Sequence, residues 1–346
     1  MGNKKWLIFI PLALAIIYLI GPKPATPIYD NSLPGLPGSA QQLEAEVLQM
    51  ESIHKIKPDN EARIIWANDS TKAKTEYSIV YLHGFSASQG EGFPVHRNIA
   101  KKFNCNLYLS RLSEHGIDTA EQLINLTADR YWESSKRALA IGKQLGHKVI
   151  LMGTSTGASL ALMLAAHQRD IAALILLSPN IEINDPNAWI LNSPWGLQIA
   201  RTVVGSKYIY SEDNRPQTKR YWSYPYRIEA AVELQELIET TMTPKTFNQV
   251  TQPMLMLYYY KDKVHQDSVV RVDAMLEMFS EVSTPDSLKK SKALPTTGNH
   301  VIGSPIKSKD PKRVELEIEQ FFIETLQIPL ATSINADSLR KASEYP

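Results

Sequence analysis

The chain has 346 residues, 43% of them hydrophobic, and its 37 lysines and arginines against 36 aspartates and glutamates leave a formal net charge of +1. A near-neutral balance gives no electrostatic reason for nucleic-acid binding, and the length and apolar share suit one large domain plus a short hydrophobic segment. Cys105 is the only cysteine, which excludes an intrachain disulfide and a cysteine-rich metal site.

Met1-Gly2-Asn3-Lys4-Lys5 is followed by an unbroken apolar run from Trp6 to Ile20, then Gly21-Pro22-Lys23-Pro24. A cleaved export signal needs small residues at the first and third positions before the cut. Cutting after Ala25 puts Lys23 at the third position, and cutting after Gly21 puts Leu19 there. Residues 1–21 therefore read as an uncleaved signal anchor. Lys4 and Lys5 stay on the cytoplasmic side, and the folded domain is extracytoplasmic, on the periplasmic side in a bacterium. The fifteen residues from Trp6 to Ile20 reach only about 23 Å, against roughly 30 Å of hydrocarbon. Pro22, Pro24, Pro27, Pro34 and Pro37 mark residues 22–38 as a proline-rich tether.

The domain expected over residues 39–330 alternates strand and helix patterns. Glu61–Ala67 reads as an early edge strand, and the apolar runs Ile79–Leu82, Leu107–Leu109, Val149–Met152, Ala172–Leu177 and Met254–Tyr260 as buried strands. Helical patterns cover Ala120–Leu145, Ala158–His167, Val269–Phe279 and Pro311–Leu326. This order predicts an α/β fold: a mostly parallel sheet with helices on both faces and a site at the carboxyl ends of the strands. After Ser178-Pro179-Asn180 about seventy residues pass before the next strand, far more than a crossover needs. Residues 181–250 thus read as a cap, with a helix over Ile228–Thr240 and the aromatics Trp189, Trp195, Tyr208, Tyr210, Tyr221, Trp222, Tyr224 and Tyr226. Most of these are expected to pin the cap to the domain. Residues 331–346 form a polar tail. No internal repeat, phosphate-binding loop or dinucleotide fingerprint is present, so no cofactor and no metal are expected.

The chemistry gathers around Gly153-Thr154-Ser155-Thr156-Gly157, between a strand and a helix pattern. In that context Gly-x-Ser-x-Gly is a nucleophile elbow, with Ser155 strained and exposed above a helix N-terminus. A serine nucleophile needs a base, an acid to orient the base, and donors for an oxyanion. His300 has the order and loop position of the base. The other histidines sit near helix ends, in helices, or in loops with other roles. Asp262, in Lys261-Asp262-Lys263-Val264 at the mouth of the Met254–Tyr260 strand, is the preferred acid. Asp267 is the fallback, discounted because it opens the next helical segment. The oxyanion donors are the amide of Thr156 and that of Phe85, in the His83-Gly84-Phe85 turn that ends an early strand.

With these pieces in place, the chain resembles α/β-hydrolases of the serine esterase and lipase type. Its motif layout is similar to that of monoacylglycerol-lipase-like and small carboxylesterase families. The resemblance covers about Ser78 to Leu326, and rests on His83-Gly84-Phe85, Arg111-Leu112-Ser113-Glu114-His115-Gly116, the elbow, Lys261–Val264 and Gly298-Asn299-His300. It implies Ser155 as nucleophile, Asp262 as acid, His300 as base, Phe85 and Thr156 as oxyanion amides, and a small-molecule ester or lipid as substrate. The second loop departs from the pattern, because these families often read Asp-x-x-Gly-His-Gly where Arg111 and Glu114 stand here. Acyl transfer, thioester or peptide cleavage on the same triad, and a non-catalytic binding protein of the same fold, are the alternatives.

Overall fold

The computed structural model describes residues 6–331, and side chains from residue 10 onward. Seven strands form the main sheet: β1 (Arg63–Ile65), β2 (Thr75–Leu82), β3 (Asn106–Leu109), β4 (Gly146–Thr154), β5 (Ile171–Leu177), β8 (Met254–Tyr258) and β9 (Lys289–Ala293). A two-stranded ribbon, β6 (Tyr208–Ile209) with β7 (Tyr226–Arg227), lies in the insertion between β5 and β8. The sheet order is β1-β3-β2-β4-β5-β8-β9, with β1 antiparallel to β3 and every other pairing parallel.

Alternate residues of the strands enter two cores, one on each face. Val80, Leu82, Leu151 and Met256 join α4 (Ala128–Leu145), α5 (Thr156–His167) and α10 (Val272–Glu281). Ile79, Tyr81, Ile150 and Leu255 join α3 (Val95–Lys102) and α11 (Pro311–Glu324). A sheet covered on both faces needs apolar residues in both registers, which is why these strands read as unbroken apolar runs. Truncating a fully buried residue such as Leu151 to Ala costs about 2–5 kcal/mol.

Three boundaries differ from expectation for local reasons. α4 starts at Ala128 rather than Ala120, because the Thr127 hydroxyl caps it by accepting from Arg130 N–H. β8 stops at Tyr258, and β9, Lys-Lys-Ser-Lys-Ala, carries no apolar pattern because it is an edge strand whose side chains are largely exposed. α10 begins at Val272, after a turn in which the Asp267 carboxylate accepts from Val269 and Val270 N–H.

The insertion contains α6 (Gly196–Val204), α7 (Pro216–Tyr221), α8 (Ile228–Thr241) and α9 (Pro244–Phe247). At the N-terminus stand α1 (Trp6–Leu19) and α2 (Ala40–Ser52), the latter capped by Ser39 accepting from Gln42 N–H. α1 has 14 residues, about 21 Å, and among the described residues no helix is long and apolar enough to cross a membrane. The membrane-spanning anchor expected over residues 1–21 is therefore not supported; Met1–Lys5 lie outside the described residues, as does the tail from residue 332.

The proline-rich stretch runs along the body instead of hanging free. Trp132 Nε1–H donates to Asp30 O at 2.6 Å, the buried Lys136 ammonium to Ser32 O at 2.9 Å, and Trp195 N–H to Pro22 O at 2.8 Å. Tyr29, Leu33 and Leu36 pack on the core cluster, which gives the stretch apolar reasons to stay.

Candidate active site

The turn from β4 into α5 places Ser155 at φ 53°, ψ −121°, a backbone region that side chains rarely occupy. Ser155 N–H donates to Leu177 O at 2.9 Å, and Ser155 O accepts from Ala158 and Asn180 N–H, so β5 and α5 together hold the strained residue. Both flanking glycines are required: a Cβ at Gly153 would come within 2.5 Å of Ala158 N, and one at Gly157 within 2.0 Å of Leu82 O. Helical bonding onto Ser155 O begins at Ala158 N–H, which leaves the Thr156 N–H in the first turn outside the ladder.

The loop after β2 is held by three amides with fixed partners. Gly84 N–H donates to Glu91 Oε2 at 2.6 Å, Ser86 N–H to His115 Nε2 at 3.0 Å, and Ala87 N–H to Gly84 O at 3.2 Å. None of these bonds uses Phe85 N–H. His83 accepts from Leu112 N–H through Nε2 and donates from Nδ1 to Gly84 O, and His115 likewise donates from Nδ1 to Ser113 O. Burial holds His83 down to about 4 and His115 well below its ordinary range. Both rings are therefore neutral at pH 7, each with one donor and one acceptor, and they tie the loop to the segment after β3.

His300 follows β9 in the loop Thr297–Val301 and is buried. Its Nδ1 lies 2.7 Å from Asp267 Oδ2. Asp267 is delivered by its own N–H, which donates to Tyr259 O, and its second oxygen accepts from Val269 and Val270 N–H. Burial alone would raise the Asp267 carboxyl, but His300 and these two amides outweigh it and hold the group below its usual range. For His300, burial disfavours the charge, yet Asp267 first and Glu91 second lift it above its usual range.

This geometry pairs His300 with Asp267 and not with Asp262, the carboxylate preferred from the sequence. Asp262 Oδ1 accepts from Val264 N–H at 2.9 Å and His265 N–H at 2.8 Å, and His265 Nδ1 stands 2.9 Å away. It closes a solvent-exposed turn at the tip of the loop, whereas the return of the chain through the Tyr260–Gln266 bridge brings Asp267 back to the sheet. The loop tip turns outward because β8 ends at Tyr258, two residues earlier than the apolar run suggests. A second residue escaped the sequence reading altogether: Glu91, a buried carboxyl within the Phe85 loop. Its only signal was a charge in a run of small and apolar residues.

A segment of the insertion sits on this loop. Ser223 N–H donates to Ser86 O at 2.6 Å, Ser88 Oγ–H donates to Tyr221 O at 3.1 Å, and the Phe85 and Tyr226 rings meet edge-on at 5.1 Å. Trp222 packs with Ala87 and with Val301, the residue after His300. With Tyr224, which packs on the same cluster and against Tyr226, the aromatics Tyr221, Trp222, Tyr224 and Tyr226 make four of the eight in the insertion that pin it here, while Trp189, Trp195 and Tyr210 are exposed. Among the described residues no group of three or more His, Cys, Asp or Glu side chains is placed to hold a metal ion.

Comparison with known proteins agrees with this architecture. A family model described as serine aminopeptidase, S33, matches residues 134–279, a segment that holds both Ser155 and Asp267. Similar solved structures include one from work on LipS and LipT, two metagenome-derived lipolytic enzymes (15% identity, TM-score 0.61, 77% of this chain and 98% of that one). Another is the monoacylglycerol lipase of Paleococcus ferrophilus (13% identity, TM-score 0.56, 76% and 98%). A third is Est1E of Butyrivibrio proteoclasticus with ferulic acid bound (17% identity, TM-score 0.53, 77% and 95%). No curated protein matches the sequence. The chain has the α/β-hydrolase fold, and solved structures of lipolytic enzymes are among those it is similar to.

Proposed function

We propose that the chain is a serine hydrolase of carboxylic esters with an apolar acyl group, acting through an acyl-enzyme on Ser155. The observation that carries the reading is the buried Asp267–His300 pair, brought together from two loops at the strand ends that also present the strained Ser155. In this reading His300 Nε2 takes the serine proton as Oγ adds to the ester carbonyl, and Asp267 holds the ring by Nδ1 and stabilises the imidazolium. Phe85 and Thr156 N–H receive the oxyanion. His300 returns the proton to the departing alkoxide as the C–O bond breaks, and water then releases the acid by the same route in reverse.

The match to a serine aminopeptidase family favours a second reading, in which the same groups cleave an amide at a peptide N-terminus. One experiment addresses both. A fluorophosphonate probe should label Ser155 in the intact protein and label nothing in Ser155→Ala; adduct on another residue refutes the assignment. A panel of p-nitrophenyl esters of increasing chain length, run beside aminoacyl arylamides, then separates the two, and faster arylamide turnover establishes the peptidase.

For location, the reading is that the N-terminal segment holds the domain at a membrane, outside the cytoplasm. Its support is the exposure of Ile10, Leu12, Leu14, Ile16, Ile17, Leu19 and Ile20. Fractionation of the full chain with membranes, lost on deleting residues 1–21, is the expected result, and a soluble full chain refutes it.

A further inference from the structure

Glu91 ends the tight turn Gln89–Glu91 and is 2% exposed, yet the ester mechanism gives it no task. Its carboxylate accepts from Gly84 N–H at 2.6 Å. A Cβ at Gly84 would lie 3.0 Å from Glu91 Oε1 and 3.0 Å from Ser155 Cβ, so the carboxyl and the serine border the same small hollow that the glycine leaves. On the other side, Glu91 O stands 3.7 Å from where a Cβ of Gly303 would be, three residues beyond His300. The loops carrying Phe85 and His300 therefore meet at Glu91.

A carboxyl in this place is costly. Burial pushes it up to about 7, although Gly84 N–H, His300 and the Tyr81 hydroxyl pull it back. The other titratable groups around it do not change charge near neutrality. Burial raises Tyr81 (on β2) and Tyr131 (on α4), and it holds His96 (on α3) down to about 3. His300, itself paired with Asp267, is left as the charge that acts on it.

We propose that Glu91 is a positioning residue for the proton transfer from Ser155 to His300: it fixes the Gly84 turn that aims Phe85 N–H and supplies a second carboxyl group, besides Asp267, to stabilise the imidazolium. The inference rests on the serine-hydrolase reading above. Glu91→Gln keeps the shape and an oxygen for Gly84 N–H while removing the charge. Without that charge His300 loses its proton more easily, so the neutral base persists to lower pH.

The test measures the rate of fluorophosphonate inactivation and ester kcat/KM across the pH range, with thermal melts as the control for folding. In Glu91→Gln the acid limb should move down by about one pH unit and the alkaline plateau fall roughly three- to tenfold. Glu91→Asp should keep the limb near wild type, and Glu91→Ala should move it and lower the plateau further. A limb that stays in place in both the Gln and Ala variants overturns the proposal, and if the Gln variant does not accumulate, the Asp and Ala pair decides alone. Absence of Ser155 labelling in the wild type would instead refute the underlying reading.

Discussion

Two aspartates of one loop each meet a histidine. Asp262 and His265, three residues apart, meet at 2.9 Å with both side chains about half in water. Asp267 and His300, 33 residues apart, meet at 2.7 Å with the aspartate side chain wholly buried. The first pair is made by its own turn and is screened by solvent, so it contributes little. The second exists only once β8 and β9 are docked, and its attraction acts where water cannot screen it. Chemistry follows burial and distance along the chain, not the presence of the pair.

The strongest challenge to this contrast is Asp267→Asn, which keeps the volume and turns the His300 ring to the wrong tautomer. Ester kcat should fall by about 10²–10⁴, and the residual acid limb of kcat/KM should lie at lower pH, because the charge that raised His300 is gone. A value near wild type would return the acid to Asp262.

The contrast extends to the N-terminus. Removing residues 1–21 should leave the melting temperature close to that of the full chain. Removing residues 1–38 strips Asp30 O and Ser32 O from the buried Trp132 and Lys136, at about 1–3 kcal/mol for each stranded donor. Melts of the two truncations decide whether the proline-rich stretch belongs to the fold.

Glu91→Gln gives a smaller effect of unusual sign. A carboxyl raised from 4.5 to about 7 in the folded protein opposes folding once the pH passes its unfolded value, and the penalty is complete above the folded one. The variant should thus match wild type at pH 4 and be the more stable of the two at pH 8, by on the order of 3 kcal/mol. Denaturant midpoints at the two pH values measure it, and a variant less stable at pH 8 refutes the penalty. At the bottom of the series, Asp262→Asn should change kcat/KM by less than about twofold, the expectation for an exposed pair.

Legibility in the sequence followed the same divide. β2, β4, β5 and the elbow were readable because burial on both faces forces apolar runs, and a sharp turn forces Gly153 and Gly157. β9 was not, since an edge strand is specified by backbone pairing that leaves Lys289, Lys290 and Lys292 free to be charged. Asp262 was preferred over Asp267 because position at a strand mouth is a local property, whereas the return of the loop through Tyr260 and Gln266 is not. Glu91 depends on a contact with Gly84 that no pattern of residue types announces.

The bonds from Ser223 to Ser86 and from Ser88 to Tyr221 have a mechanical consequence. A stretch of the insertion is thereby fastened to the loop that carries Phe85. Displacing that stretch puts tension on the backbone on both sides of Gly84, so its position and the shape of the Phe85 turn change together.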